Sequence, residues 1–185
     1  MRSLFKIITA CSLGISLTYA CTTILVGKQA SSEGRYIVAR NADSSDSAAV
    51  TLTYHEPREK GYIFQNNIDD DTFTYAMPDN LLGYSGTPLW SRKYREESGF
   101  NDLGVGLSGT ETIFSNEKTL SVDPYVNSGV SEESLTTIIL PQIKTAKEGV
   151  LLLGSIIEKY GSYEGFGVAF LDETSISNRS ATDLI

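Results

Sequence analysis

The chain has 185 residues, with 23 acidic side chains against 15 basic ones and 41% hydrophobic residues. This length supports one hydrophobic core, so we expect one folded domain. The net charge of −8 and the lack of a Lys/Arg cluster argue against a nucleic-acid partner, because binding to phosphates needs clustered basic side chains.

Residues 1–20 have the pattern of a secretory signal peptide. Two basic residues come first, an apolar run extends to Leu17, and Thr18 and Ala20 put small residues at the two positions that a signal peptidase reads. The apolar run is too short to span a bilayer. We therefore expect an exported protein, periplasmic or extracellular, whose mature domain comprises residues 21–185.

Short strands are predicted through the first two thirds of the mature chain. The continuous apolar run at 22–26 predicts a strand covered on both faces, and 36–40, after the SSEG turn, predicts its hairpin partner. Because the ends of an antiparallel pair are adjacent, Cys21 is expected beside the RNAD segment at 40–43. Further strands are predicted at 51–54, 62–64, 72–76, 104–108 and 119–121.

Helical patterns come late in the sequence. Ser131 is expected to cap a helix whose first turn carries Glu132 and Glu133, which we interpret as acids that complement the helix dipole and not as catalytic carboxylates. A longer helix is predicted from the capping-box spacing at Thr145 and from an apolar face that ends before Gly161. A last strand is predicted at 165–171, and no element is predicted beyond it. This order of elements indicates an α+β fold.

Cys21 is the residue with the clearest chemical potential. Cys11 lies in the expected leader, so Cys21 would be the single thiol of the mature chain. Cleavage after Ala20 would also give Cys21 a free α-amine, a group whose ordinary pKa is about 7.7 to 8.0. That amine can accept the thiol proton and return it to a leaving group, so one residue would serve as nucleophile and base. His55, the only histidine, is interpreted as solvated, and no cluster with metal-ligand spacing is present, so we expect no metal site.

Three further residues are candidates for the same site. Arg40 supplies a cation that favours a nearby thiolate, and Asp43 can orient the terminal amine through a hydrogen bond. Asn101 can donate its side-chain amide to an oxyanion, at the entry to a glycine-bearing strand. Each also has a structural interpretation, as a surface ion pair or as a turn residue.

The run CTTILVGKQASSEGRYIVARNAD resembles the start of the bacterial cysteine dipeptidases (dipeptidase A-like) of the N-terminal-nucleophile, or Ntn, hydrolase superfamily. The resemblance continues in FNDLGVGLSGTETIFSN and covers nearly all of residues 21–172. It implies a four-layer αββα sandwich and hydrolysis of dipeptides without a metal or organic cofactor. It also implies Cys21 as the nucleophile, Arg40 and Asp43 as its supporting pair, and Asn101 in the oxyanion hole.

Two expectations qualify this interpretation. Members of that family are considerably longer, and the residues after Glu173 do not resemble them, so we expect an incomplete sandwich with an uncovered sheet, which favours homo-oligomers or loss of activity. The alternative is a noncatalytic lipoprotein or remnant binding domain, in which acyl chains on Cys21 block the thiol and amine and anchor the protein to a membrane. A lipoprotein signal usually has leucine three residues before the cysteine and a small residue two before it. Here those positions hold Thr18 and Tyr19, which favours the enzyme.

Overall fold

The computed structural model of the chain describes residues 21–41, 51–66, 71–88, 95–111 and 113–180. The strands in these ranges are β1 (Thr22–Val26), β2 (Ile37–Asn41), β3 (Thr53–His55), β4 (Ile63–Gln65), β5 (Thr74–Ala76), β6 (Tyr84–Pro88), β7 (Glu96–Asn101), β8 (Gly106–Thr110), β9 (Gly167–Leu171) and β10 (Ile176–Ser180). The helices are α1 (Glu117–Leu120), α2 (Leu135–Ile139) and α3 (Ala146–Tyr160), with 3₁₀ helices at Glu132–Ser134 and Leu140–Gln142. The expected leader at 1–20 and Asp43 lie outside the described residues.

The centre of the structure is a six-stranded antiparallel sheet in the order β10-β9-β8-β7-β6-β3. Two two-stranded ribbons, β1-β2 and β4-β5, accompany it. Helix α2 packs on β7 and β8, and α3 packs on β9 and β10. The predicted α+β class is confirmed, with helices and a sheet sharing one apolar core.

The first hairpin forms in the predicted place. Strands β1 and β2 pair antiparallel, with Thr22 opposite Asn41 and Thr23 opposite Arg40. The prediction that β1 is covered on both faces is wrong, because Ile24 and Leu25 are 58% and 44% exposed. The apolar run predicts burial, but the hairpin forms its own two-stranded ribbon and is not hydrogen-bonded into the six-stranded sheet, so one of its faces stays exposed.

Several other elements differ from the prediction. The segment predicted as a strand at 119–121 belongs mainly to α1, since Asn116 caps a helical turn there by accepting from the Thr119 N–H. The strands β6, β7 and β10 were not predicted from the sequence. Their polar and glycine-rich sequences lack the alternation that marks a strand in isolation. These strands instead obtain their order from pairing with neighbours in the sheet.

The helical predictions are partly confirmed. Thr145 accepts a hydrogen bond from the Glu148 N–H, and α3 ends at Gly161, whose φ of 77° lies in the left-handed region. Ser131 precedes a 3₁₀ helix and makes no side-chain cap bond there. Its hydroxyl contacts the Asn66 amide instead, so Ser131 links the start of this helical region to the β4-β5 ribbon.

Helix α3 approaches the sheet closely through a glycine. A Cβ built on Gly149 would lie 2.4 Å from the ring of Phe170, a fully buried residue of β9. No real Cβ contact is that short, so an alanine at this position requires the helix or the ring to move. Gly149 therefore sets the distance between α3 and the sheet.

The opposite face of the sheet is more exposed. Tyr54, Ser85, Phe100 and Gly106 are in register across four strands, and they share this face. Tyr54 and Phe100 are 53% and 52% exposed. None of the helices within the described ranges is both long enough and apolar enough to cross a lipid bilayer.

The contact between α3 and Phe170 predicts the effect of Gly149→Ala. Alanine favours a helix interior by about 1 kcal/mol over glycine, but overpacking of a filled core costs about 1 to 3 kcal/mol. We expect a net loss of stability in urea denaturation. Ser155→Ala, on the exposed side of the same helix, is the control and should stay within about 0.5 kcal/mol of the parent. A Gly149→Ala protein that gains stability would contradict the packing argument.

Candidate active site

The hairpin brings Cys21 and Arg40 together. Cys21 directly precedes β1, and Arg40 is the fourth residue of β2. The Thr22 N–H donates to the Asn41 side chain across 2.7 Å, which ties the start of β1 to the end of β2. Across this end of the hairpin, Arg40 Nη2 donates to the Cys21 Sγ at 3.8 Å. Cys21 was predicted to lie beside the RNAD segment, and Arg40, the first residue of that segment, does contact it.

The Arg40 guanidinium is buried among acidic groups. Its Nη1 contacts a carboxylate oxygen of Glu97, and its Nη2 lies 3.9 Å from Glu132 Oε1. The side chains of Arg40, Glu97 and Glu132 are 10%, 12% and 0% exposed. A cation is therefore held beside the half-buried thiol in a place where water screens it little.

Two opposing effects set the pKa of Arg40. Burial by itself lowers this pKa, but the hydrogen bond to Glu97 and the negative charges of Glu132 and Glu97 outweigh it and raise the pKa above its ordinary value. The guanidinium consequently stays positively charged beside the Cys21 sulfur.

A β-bulge interrupts the pairing of β6 and β7 beside Glu97. Gly86 pairs with Gly99, and Pro88 pairs with Glu96. The paired residues are two positions apart in β6 and three positions apart in β7, so β7 has one extra residue. An extra residue of this kind bends a strand and redirects side chains. Glu97 lies in this bulge, and its carboxylate contacts Arg40.

Glu132 lies in the first turn of a helix, as predicted, but that helix is 3₁₀. Its side chain is fully buried beside Arg40, which the sequence did not predict. Burial raises the pKa of Glu132 well above its ordinary value, and the charge of Glu97 adds to this effect while Arg40 opposes it. The sequence signal for this burial is its position three residues before the apolar and threonine run at 135–139.

Asn101 lies at the other end of β7 from Glu97. The two residues are four positions apart, a distance of roughly 13 Å at about 3.3 Å per strand residue. The Asn101 amide donates to the carbonyls of Leu140 and Ile143 at 2.9 and 2.7 Å. Its oxygen accepts from the N–H groups of Leu103 and Val105 at 3.1 and 3.0 Å. The structure therefore gives Asn101 a structural role between sheet and helices.

His55 is also placed away from Cys21. The interpretation of His55 as solvated is wrong, because its ring stacks on buried Tyr84 at 4.4 Å and its Nε2 lies 2.6 Å from Glu96 Oε1. It lines a groove of about 780 Å³ beside the edge strand β3, and neither Cys21 nor Arg40 lines that groove. Among the described residues, no group of three or more His, Cys, Asp or Glu side chains has the arrangement of a metal site.

Comparison with known proteins gives a family for the chain. A model of Peptidase family C69 matches residues 20–178 of the chain. The chain belongs to Peptidase family C69. The family resemblance predicted from the opening motif is therefore confirmed.

Several bacterial proteins are similar to this C69 family member. A probable dipeptidase A of Streptococcus pyogenes serotype M3 (strain SSI-1) is 42% identical over 166 residues, covering 85% of this chain and 34% of that protein. A probable dipeptidase of Salmonella dublin is 38% identical over 172 residues, covering 89% and 38%. A dipeptidase of Bifidobacterium longum (strain NCC 2705) is 37% identical over 182 residues, covering 85% and 32%. The chain spans about a third of the length of these relatives.

The bonding of Asn101 predicts that Asn101→Ala is strongly destabilising. The substitution leaves two carbonyls and two N–H groups of the core without their partner, and each buried unpaired group costs about 1 to 3 kcal/mol. We expect a loss of about 3 kcal/mol in chemical denaturation. Asn116→Ala, which removes one exposed cap bond, is the control and should cost about 1 kcal/mol. Equal losses in the two variants would contradict the structural role of Asn101.

A second prediction concerns the carboxylates around Glu132. Glu164 accepts from the Glu132 N–H at 3.0 Å, and burial together with the nearby Glu111 and Glu133 raises its pKa from 4.5 to about 7. The folded state thus holds a proton that the unfolded state loses, so this stabilisation is complete below about pH 4.5 and disappears as the pH rises through 7.

Removal of this titration should flatten the pH dependence of stability. Between pH 5 and pH 8, we expect the free energy of unfolding of Glu164→Gln to shift in its favour by about 2 to 3 kcal/mol relative to the parent. Glu158→Gln, at an exposed position of α3, is the control for removal of one carboxylate. A Glu164→Gln profile parallel to that of the parent would show that Glu164 does not titrate in this range.

Proposed function

We propose that this C69 protein is an exported cysteine dipeptidase in which Cys21 becomes the N-terminal nucleophile after removal of residues 1–20. The observation that carries the proposal is the buried Arg40 guanidinium, which donates to the Cys21 Sγ at 3.8 Å. The names of the dipeptidase relatives support peptides as the substrates. Because the chain spans about a third of those relatives, activity of this chain by itself is part of the proposal.

The proposed reaction is acyl transfer through a thioester. The Cys21 α-amine takes the thiol proton, and the sulfur attacks the carbonyl carbon of the peptide bond. The C–N bond then breaks, and the leaving amine receives the proton from the Cys21 ammonium. Water, deprotonated by the same amine, hydrolyses the thioester and regenerates the thiol. Each step moves one proton to or from the amine, so no metal, cofactor or redox partner is needed.

Arg40, Asp43 and Asn101 complete the proposed site with unequal support. The contact with the Cys21 sulfur supports the role of Arg40. Asp43 is three residues further along the chain, and its proposed role is to orient the α-amine. Asn101 as an oxyanion donor remains a prediction, since its amide hydrogens are already directed to the Leu140 and Ile143 carbonyls.

We infer that the fold is the helical layer and one sheet of an αββα sandwich of the Ntn type. The helices cover one face of the six-stranded sheet, and the exposed Tyr54 and Phe100 on the other face suit packing against a second sheet. The same uncovered face supports the proposal of homo-oligomers. The chain has more acidic than basic side chains, which argues against nucleic acid as the substrate and agrees with peptides.

Substitution of the two cysteines tests the proposal. Cys21→Ala should abolish dipeptide hydrolysis, a loss of at least about a thousandfold for a missing nucleophile, with an unchanged circular dichroism spectrum. Cys11→Ser is the matched control, because Cys11 lies in the expected leader, and it should leave the rate unchanged. Hydrolysis is followed by the release of free amino acids from a panel of dipeptides.

The intact mass of the exported protein decides between the enzyme and the lipoprotein. A mass for residues 21–185 with an N-terminal cysteine that iodoacetamide alkylates supports the free nucleophile and amine. A mass increased by diacylglycerol and a fatty acid, with partition into detergent, would establish Cys21 as an anchor. Residual hydrolysis by Cys21→Ala would equally refute the proposed mechanism.

A further inference from the structure

Glu132 is an unusual residue to bury in the core beside the site. Its side chain is 0% exposed, and neither carboxyl oxygen receives a hydrogen bond from the described residues. Burial of a carboxyl group without hydrogen-bond donors costs free energy, and replacement by an apolar side chain often stabilises a protein. The position of Glu132 therefore needs an explanation other than stability.

The backbone around Glu132 is built to accommodate the carboxyl group. A Cβ on Gly109 of β8 would lie 2.3 Å from Glu132 Oε1, so only glycine leaves this space. The Glu132 N–H is held by Glu164 Oε1 at 3.0 Å, which fixes the start of the 3₁₀ helix. The carboxyl group thus fills the space beside Gly109, on a backbone that Glu164 holds in place.

The Glu132 carboxyl group also lies beside the Arg40 guanidinium. Glu132 Oε1 lies 3.9 Å from Arg40 Nη2, the same nitrogen that donates to the Cys21 Sγ. Glu97 contacts the other terminal nitrogen, Nη1. Glu97 thus contacts one terminal nitrogen, and Glu132 packs beside the other at 3.9 Å without a hydrogen bond, so the two carboxyl groups bracket the planar guanidinium. The remaining direction of Nη2 is toward the sulfur.

We propose that Glu132 is a positioning residue that holds the Arg40 Nη2 group against the Cys21 thiol. This inference rests on the proposed function of Cys21 as the nucleophile. Glu132 acts through orientation and not through its charge, since a negative charge at this place weakens the positive field of Arg40 at the sulfur. The raised pKa of Glu132 agrees with this, because a neutral carboxyl group still presents an oxygen to Nη2.

Charged groups on every neighbouring element contribute to the electrostatics around Glu132. They are Arg40 of β2, Glu97 of β7, Glu111 after β8, Glu133 of the same 3₁₀ helix and Glu164 before β9. Glu133 is the natural control among them. It is adjacent in sequence and chemically identical, but its carboxylate pairs with Arg95 Nε at 3.0 Å.

The test is the alkylation rate of Cys21 by iodoacetamide as a function of pH, measured by peptide mass spectrometry on the full chain, so that Cys11 is read separately. Glu132→Leu should slow alkylation at pH 7 about tenfold, because a guanidinium that is no longer held at the sulfur assists its reaction less. Glu132→Gln keeps the shape of the side chain beside Nη2 and should react within about twofold of the parent. Glu133→Leu should also match the parent.

Each result has a defined meaning. A Glu132→Leu rate equal to that of the parent, or a faster one, overturns the positioning role. A Glu132→Gln rate as slow as that of Glu132→Leu overturns the orientation argument in favour of charge. Should Glu132→Leu fail to fold, Gly109→Ala displaces the carboxyl group without removing it, and normal reactivity in that variant contradicts the proposal.

The alkylation experiment also separates this inference from the proposed function. A parent protein that hydrolyses dipeptides while Glu132→Leu retains the parent profile refutes the inference alone. A parent thiol that reacts with the expected Glu132 dependence but supports no hydrolysis refutes the dipeptidase proposal alone. A parent Cys21 that is blocked to alkylation removes the basis of both.

Discussion

The burial of one positive charge beside a thiol is the constraint on which the site depends. A guanidinium with 10% of its side chain exposed must be neutralised by nearby acids, because the desolvation of an unpaired ion is prohibitive. Glu97 meets that requirement by direct contact, and Glu132 packs on the other side of the same guanidinium. The hairpin, the bulged strand β7 and the 3₁₀ helix, which are far apart in the chain, are therefore brought together around one side chain.

This arrangement divides the molecule into a helical face that is closed and a sheet face that is open. On the closed face, glycines let helices and side chains approach the sheet, as Gly149 does for Phe170 and Gly109 does for Glu132. On the open face, the exposed Tyr54 and Phe100 form part of a surface on which a second layer can pack. The site lies where the first hairpin meets the central sheet, as the contact between Thr23 and Thr110 shows.

The sequence predicted the features that depend on local patterns. The hairpin that joins Cys21 to Arg40 follows from two apolar runs and the turn between them, and α3 follows from its cap and its apolar face. Strand β7 was missed because EESGFN does not alternate, and its glutamates are tolerated through partners elsewhere, Arg40 and His55. The burial of Glu132 and the bonding of Asn101 likewise depend on residues distant in sequence, which no local pattern reports.

The pairing of Thr23 with Arg40 also limits how this hairpin can change during evolution. Insertions between Gly27 and Tyr36 lengthen a surface turn and leave the cross-strand pairs intact. A single insertion or deletion inside β1 or β2 instead transfers every later side chain of that strand to the opposite face. We therefore expect length variation in this hairpin to be confined to the turn, with a constant number of residues from Cys21 to the first strand pair.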